Sequence, residues 1–212
     1  MDSEDYSKFL VSSKYIDTTH TNIMECAANL AIGTNNVGEI IDNCFRYVRD
    51  QIKHSLDFKL NPVTVVASDV LRHGTGYCYA KSHLLAALLR ANQIPTGLCY
   101  QRLSIDGKAA PFCLHGLNAV YLNPGGWLRL DPRGNKKGVN AQFNPPYEAI
   151  AFPIAVDGEE DIPFIYVEPL NLVTERLEGC ETYDQVADSL PNLGTLDFPN
   201  ADAFINISKG IV

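Results

Sequence analysis

In the stretch "TNIMECAANLAIG" the apolar residues Ile23, Ala27, Leu30 and Ala31 recur at three- and four-residue spacing, and the run closes on Gly33. That spacing predicts a short helix, with a glycine just past its end. The next stretch, "TNNVGEIIDNCFRYVRDQIKHSLDF", carries Val37, Ile40, Ile41, Cys44, Phe45, Val48 and Ile52 at the same period. It predicts one amphipathic helix opened by Thr34, Asn35 or Asn36 as the cap. "NPVTVV" reads as a turn followed by β-branched residues, and "ASDVLRHGTG" as a short helical turn ended by Gly74 and Gly76. From Cys78 the apolar positions Tyr79, Leu84, Leu85, Ala86, Ala87, Leu88 and Leu89 spread around most of the helical circumference. The pattern stops near Asn92 and Pro95, which predicts a central helix buried on most sides.

The period then changes. "TGLCYQRLSI", "FCLHGLNAVYL" and "WLRLDP" are strand-like in content and alternation, separated by turns at "DGKAAP" and "NPGG". Connections this short carry antiparallel pairing and no parallel crossover. The C-terminal third has scattered prolines, apolar segments at "AIAFPIAV" and "IPFIYVEPL", and a short helix predicted at "TYDQVADSL". Helices first and antiparallel strands second predict an α+β fold without internal repeats.

Composition narrows the function classes. A chain of 212 residues buries a sizeable core without staples, and a single domain spanning residues 1–212 is expected. The formal net charge of −8 and the absence of a Lys/Arg-rich run argue against nucleic acid as a partner. The start, "MDSEDYSKFLVSSKYIDTTH", is acidic and polar where a signal peptide is basic and then apolar, and no stretch has the length of a membrane span. A cytoplasmic protein with no membrane partner is the expectation. The six cysteines are scattered, so reduced thiols are expected rather than a disulfide framework. Neither the cysteines nor the five histidines show zinc-type spacing, and no cofactor or metal is called for.

Cys78 sits where the glycine-broken loop meets the central helix. One reading is a small buried hydrophobe. The other is a nucleophile, because the N–H groups and dipole of a helix N-terminus favour a thiolate and point at the place where an oxyanion would form. A nucleophile needs a base, and the base needs an orienting acceptor. His20, His54 and His73 have ordinary surface or capping explanations, and His83 lies within the Cys78 helix, away from its N-terminal end. His115 lies on a predicted strand beside Gly116, whose missing side chain leaves room next to an imidazole. Asp131 ends the neighbouring strand before Pro132. With the turn at 123–126, the two side chains meet if both point to the same face; alone, Asp131 is equally a turn-starting residue before proline.

The pieces "GTGYCYAKSHLLAALLRANQIPTGLCY", "LHGLNAVYL" and "WLRLDPRGN", in that order and preceded by a helix ending "YVRDQIKHSLDF", resemble the transglutaminase-like superfamily of papain-like cysteine enzymes. The resemblance covers residues 36 to 135. It implies a papain-like core of N-terminal helices packed on an antiparallel β-sheet. It also implies Cys78 as nucleophile, His115 as general base and acid, and Asp131 as the residue orienting His115. The Cys78 backbone N–H supplies one oxyanion donor, and the superfamily adds a side chain from upstream of the cysteine or near it. Gln51, His54 and Tyr77 are the candidates for that donor or for substrate contact.

The chemistry so implied is acyl transfer through a thioester on Cys78. Water as acceptor gives a peptidase or amidase acting on a peptide or small amide; an amine gives a transglutaminase. The lack of calcium-type acidic clusters favours hydrolysis. A non-catalytic binding module on the same fold is a different reading, as is a zinc cluster built from Cys113, His115, Cys78 and Asp131. Residues 140 to 170 either line the cleft or form an ordinary connection on the sheet.

Overall fold

Side-chain caps decide where the first helices begin. In the computed structural model, which describes residues 6–194 and 204–206, His20 caps α1 (Thr21–Leu30) by accepting from the Asn22 N–H at 3.2 Å. Residues 1–5 of the acidic start lie outside the described residues. Of the three cap candidates for α2 (Val37–Arg46), Asn36 is the one used; its Oδ1 accepts from the Gly38 and Glu39 N–H groups. Ile41, Cys44 and Phe45 face the core as the periodicity predicted.

The single helix expected through residue 58 is broken. After α2 the chain makes a π-helical turn (Tyr47–Gln51), a two-residue strand β1 (Lys53–His54) and one turn of helix, α3 (Ser55–Phe58). The apolar spacing survives the break, since Val48 and Ile52 stay buried. What changes is the partner of the backbone. The Lys53 N–H donates to Gly74 O at 2.8 Å instead of to a carbonyl four residues back. The freed carbonyls of Arg49 and Ile52 take the ammonium of the fully buried Lys81. A helix pattern in the sequence does not report such long-range acceptors.

Helix α4 (Ala67–His73) ends on Gly74 in the left-handed region, and β2 (Thr75–Gly76) then pairs in parallel with β1. Helix α5 (Cys78–Ala91) follows at once and is buried from Cys78 through Arg90. Its buried polar residues bond to backbone carbonyls, with His83 Nε2 left without a partner among the described residues. Arg90 donates to the carbonyls of Thr96, Val11 and Val167, and His83 Nδ1 lies 2.7 Å from Val65 O. This central helix packs on β3 (Thr96–Ser104) and β4 (Phe112–Leu122), an antiparallel hairpin extended by β5 (Gly126–Leu130).

Beyond β5 come the hairpin β6 (Gln142–Asn144) and β7 (Tyr147–Ala149), then β8 (Glu160–Asp161), β9 (Phe164–Tyr166), α6 (Asn171–Glu178), α7 (Tyr183–Ala187) and β10 (Phe204–Asn206). The main sheet runs β10-β9-β3-β4-β5, antiparallel throughout, with β8 also pairing with β3. Helices set against an antiparallel sheet make the α+β class expected from the sequence. Helix α7 is the predicted "TYDQVADSL" helix, opened by a Thr182–Gln185 capping box. Helix α6 and the β6–β7 hairpin carry no sequence prediction. No helix among the described residues is long and apolar enough to cross a membrane.

Candidate active site

The first turn of α5 is set by two close approaches. Tyr77, the residue before the helix, makes no capping side-chain bond, so its side chain does not take up the leading N–H groups of α5. A Cβ on Gly116 would lie 2.9 Å from Tyr79 Cδ1 and 3.1 Å from its Cα. The space left by Gly116 is thus filled by the first turn of α5, not by the His115 imidazole. This contact lets the Gly116 N–H point at Cys78 Sγ, 3.5 Å away. Cys78 is 6% exposed.

Position 115, one residue earlier on β4, then falls beside the sulfur. His115 Nε2 lies 2.8 Å from Asp131 Oδ2, and the imidazole and the Cys78 sulfur line the same cleft. With Nε2 held by the carboxylate, Nδ1 is the nitrogen left for the thiol. Asp131 follows β5 directly and is fully buried. Its two oxygens also accept from the Arg133 N–H (3.1 Å) and the Ala151 N–H (3.1 Å). Burial alone would push that carboxyl up, but His115 and these amides hold it below the usual carboxylate range. For His115, burial works against the charged ring, while the Asp131 carboxylate and the Cys78 sulfur more than offset it and raise the imidazole to about 10. The Phe152 ring packs edge-on against His115 at 5.1 Å between centroids and shields the pair from water.

The three upstream candidates separate cleanly. Gln51 is exposed on the π-helical turn and lines a different depression, with Asn29, Leu30 and Asn43; it does not reach the cleft. The resemblance made it a candidate because it lies upstream of Cys78, but in this turn Val48 and Ile52 take the buried side and Gln51 is left on the exposed one. Tyr77 lines the cleft with its ring, but its hydroxyl donates to the Tyr183 carbonyl. His54, read from sequence as a surface or capping residue as well as a donor candidate, is buried (6% exposed) and lines the cleft beside Cys78. It stands opposite Gly76 in the β1–β2 pairing. Its Nδ1 has no hydrogen-bond partner and lies 3.8 Å from Asp57 Oδ2. Burial, reinforced by the nearby Arg133 guanidinium, pushes the imidazole down to about 3, so the ring is neutral.

Cys78, His54, Tyr77 and His115 open into one cavity of about 490 Å³. Asp57, Arg133 and Lys136 also line it, none of them singled out in the sequence, and so does Phe152, from the 140–170 segment for which lining the cleft was one of two readings. Arg133 lies within the quoted "WLRLDPRGN", next but one to Asp131, which was the available signal. Its guanidinium and the Lys136 ammonium each reach an Asp57 oxygen at 2.7 Å. All six cysteines are free thiols.

The profile of the transglutaminase-like superfamily matches residues 25–132, half of the chain. The chain belongs to the transglutaminase-like superfamily. This transglutaminase-like chain superposes on a candidate cysteine protease from Cytophaga hutchinsonii with a TM-score of 0.51 and 21% identity, over 61% of this chain and 42% of that one. The periplasmic domain of TgpA from Pseudomonas aeruginosa aligns at a TM-score of 0.47 and 16% identity, over 62% and 48% of the two chains. The transglutaminase-like chain therefore spans less than half the length of either structure. No curated protein matches it significantly.

Proposed function

We propose that this transglutaminase-like chain is a cysteine-nucleophile acyl-transfer enzyme that hydrolyses an amide or peptide bond. One observation carries the reading: a buried carboxylate holds Nε2 of an imidazole at 2.8 Å, and the next N–H along that strand points, at 3.5 Å, to the sulfur of a cysteine at a helix N-terminus in the same cleft. Attack requires the thiolate, and His115 is the group placed to take the Cys78 proton. The thiolate attacks the amide carbonyl carbon, and the carbonyl oxygen takes the negative charge. The Cys78 N–H and His54 face that oxygen; His54, being neutral, offers an N–H without a competing positive charge. His115 passes its proton to the leaving nitrogen as the C–N bond breaks, leaving a thioester on Cys78. It then takes a proton from water, which attacks the thioester and releases the acid. Asp131 keeps the imidazole in the orientation and tautomer both steps require.

Site-selective alkylation tests the reading. Sub-stoichiometric iodoacetamide across pH 5 to 9, with the label located by peptide mass spectrometry, should mark Cys78 first even below pH 7. The preference should vanish in His115→Ala. If Cys78 reacts no faster than the other five cysteines and ignores the loss of His115, the enzyme reading gives way to a binding module. With an amide substrate, an added amine separates the two acceptors: free acid as the main product supports hydrolysis, and amine adduct supports transamidation.

A further inference from the structure

We propose that the half of the cleft between the β3–β4 hairpin and residues 152–159 is a specificity pocket for a bulky, uncharged apolar group flanking the scissile bond of a peptide-type amide. The inference rests on the amide-cleaving reading above and assigns its substrate class.

The walls on this side are Leu103 and Leu114 from the hairpin, Phe152 and Val156 from the loop, and Leu190 from the C-terminal strap. The loop is held in place by its own acid. Glu159 accepts from the Ser104, Ala155 and Val156 N–H groups at 2.9, 2.9 and 3.0 Å, so its carboxylate is engaged with backbone. Arg102 lies over the Phe112 ring at 4.0 Å and donates to Gly158 O and to Asn192 Oδ1. The Leu114 N–H donates to Pro191 O at 2.7 Å, which sets Leu190 against the hairpin. The Glu159 carboxylate and the Arg102 guanidinium are therefore engaged with backbone, amide and ring, and the side chains facing the cavity from this wall are mainly apolar, so a charged substrate group entering it would lose hydration for little return.

Large aliphatic side chains continue the wall out to the mouth. Ile105, which lines the cavity, is 54% exposed, and Ile154, within the loop, is 40% exposed. Apolar surface left in water at the rim of a cavity marks a place that a ligand covers. The opposite end is different in kind, because there Asp57, Arg133 and Lys136 are paired with one another. A cavity of about 490 Å³ holds a large side chain on one side of the reacting carbonyl and the backbone on the other.

The test compares chloroacetamide with N-benzyl chloroacetamide. In each case the Cys78 thiolate displaces chloride and forms a thioether. The ratio of the two rate constants, normalised to the same ratio on glutathione, should favour the benzyl probe by ~10-fold or more in the wild-type chain. The double variant Ile105→Asp, Val156→Asp should bring that ratio to within about twofold of unity; because both probes are run on the same preparation, any change in the reactivity of the Cys78 thiolate itself cancels in the ratio. A wild-type ratio near one, or a ratio the variant does not move, overturns the pocket and leaves the nucleophile reading standing. Failure of Cys78 to react ahead of the other cysteines overturns that reading instead. The pocket is then judged by NMR titration of N-benzylacetamide into Cys78→Ser. Shifts at residues 103–105 and 152–156 that disappear with the Asp variants support it, and their absence overturns it.

Discussion

His54 stands across from Gly76 in a two-residue parallel pairing, and Gly76 is two positions before Cys78. The pairing joins two segments that are far apart in the chain. Thr64 Oγ1 donates to Thr75 O at 2.8 Å, and Thr75 Oγ1 donates to Lys53 O at 3.0 Å, so side chains stitch both strands to their surroundings. A Cβ on Gly76 would meet Ala80 Cβ and Thr64 Oγ1 at 3.1 Å each, and its absence lets the ribbon lie close to the first turn of α5. The imidazole of His54 is thereby carried to the N-terminal end of the helix that bears Cys78.

If His54 serves the oxyanion, His54→Ala should lower amide turnover by ~10²–10³-fold. Alkylation of Cys78 by iodoacetamide develops no oxyanion and should stay within about twofold of wild type. Steady-state turnover and alkylation rates measured on the same preparation decide it. A parallel fall in both would mean that His54 merely supports the fold.

Asp131→Asn keeps the shape of the acceptor and removes its charge. The His115 imidazole, now buried without a carboxylate, should titrate well below the wild-type midpoint of about 10. Alkylation of Cys78 at neutral pH should slow as well, since an imidazole without its carboxylate takes the thiol proton less readily. NMR titration of the His115 ring protons reads the first change and the alkylation profile reads the second. An unmoved ring midpoint would sink the argument.

The same shifts give stability an identifiable pH dependence. His115 has a folded-state value raised from 6.5 to about 10, so its contribution is fully present below pH 6.5 and is lost as pH rises toward 10. His54 and His83 are depressed to about 3 and about 4, so their contribution is present above pH 6.5 and is lost as pH falls toward those values. Urea unfolding at intervals from pH 4 to 10 should show loss at both ends. In His115→Gln the alkaline loss should shrink while the acid loss remains. An alkaline limb of equal size in that variant would contradict the assignment.

Gly116→Ala places a methyl group 2.9–3.3 Å from the ring edge and backbone of Tyr79. The backbone of a buried helix cannot move aside cheaply, so a destabilisation of ~1–3 kcal/mol is expected. Thermal unfolding should record it. Because the same shift withdraws the Gly116 N–H from the sulfur, Cys78 alkylation should slow as well. A stable variant with unchanged alkylation would mean that β4 does not brace the nucleophile.

The central helix and the three-stranded meander were legible in the sequence because their signals are local. Helical spacing from Cys78 to Ala91 and short turns at 106–111 and 123–126 leave few alternative pairings. That His115 and Asp131 would meet was legible because a short turn sets their strands side by side; the roles given to them and to Cys78 come from the family resemblance and belong to the proposed function. The fate of residues 47–58 was not legible. Their apolar period is that of a helix, and only the ammonium of Lys81 and the Gly74 carbonyl, both distant in sequence, make the break favourable. For residues 140 to 170 the sequence left two readings open, and long-range contacts of Glu159 with Ser104, Phe152 with His115 and Pro191 with Leu114 set this side of the cleft.

The sequence by itself determined the order of the chemistry: a cysteine at a helix start, a histidine on one strand and an aspartate ending the next. Those depend on local periodicity and on residue type, which the chain carries with it. Only the tertiary structure decided that His54 rather than Gln51 faces the cleft, that the Tyr77 hydroxyl is engaged with Tyr183, and that residues 152–159 form a wall. Each of those outcomes turns on which distant backbone group satisfies a buried donor or acceptor, and that is settled when the elements pack together.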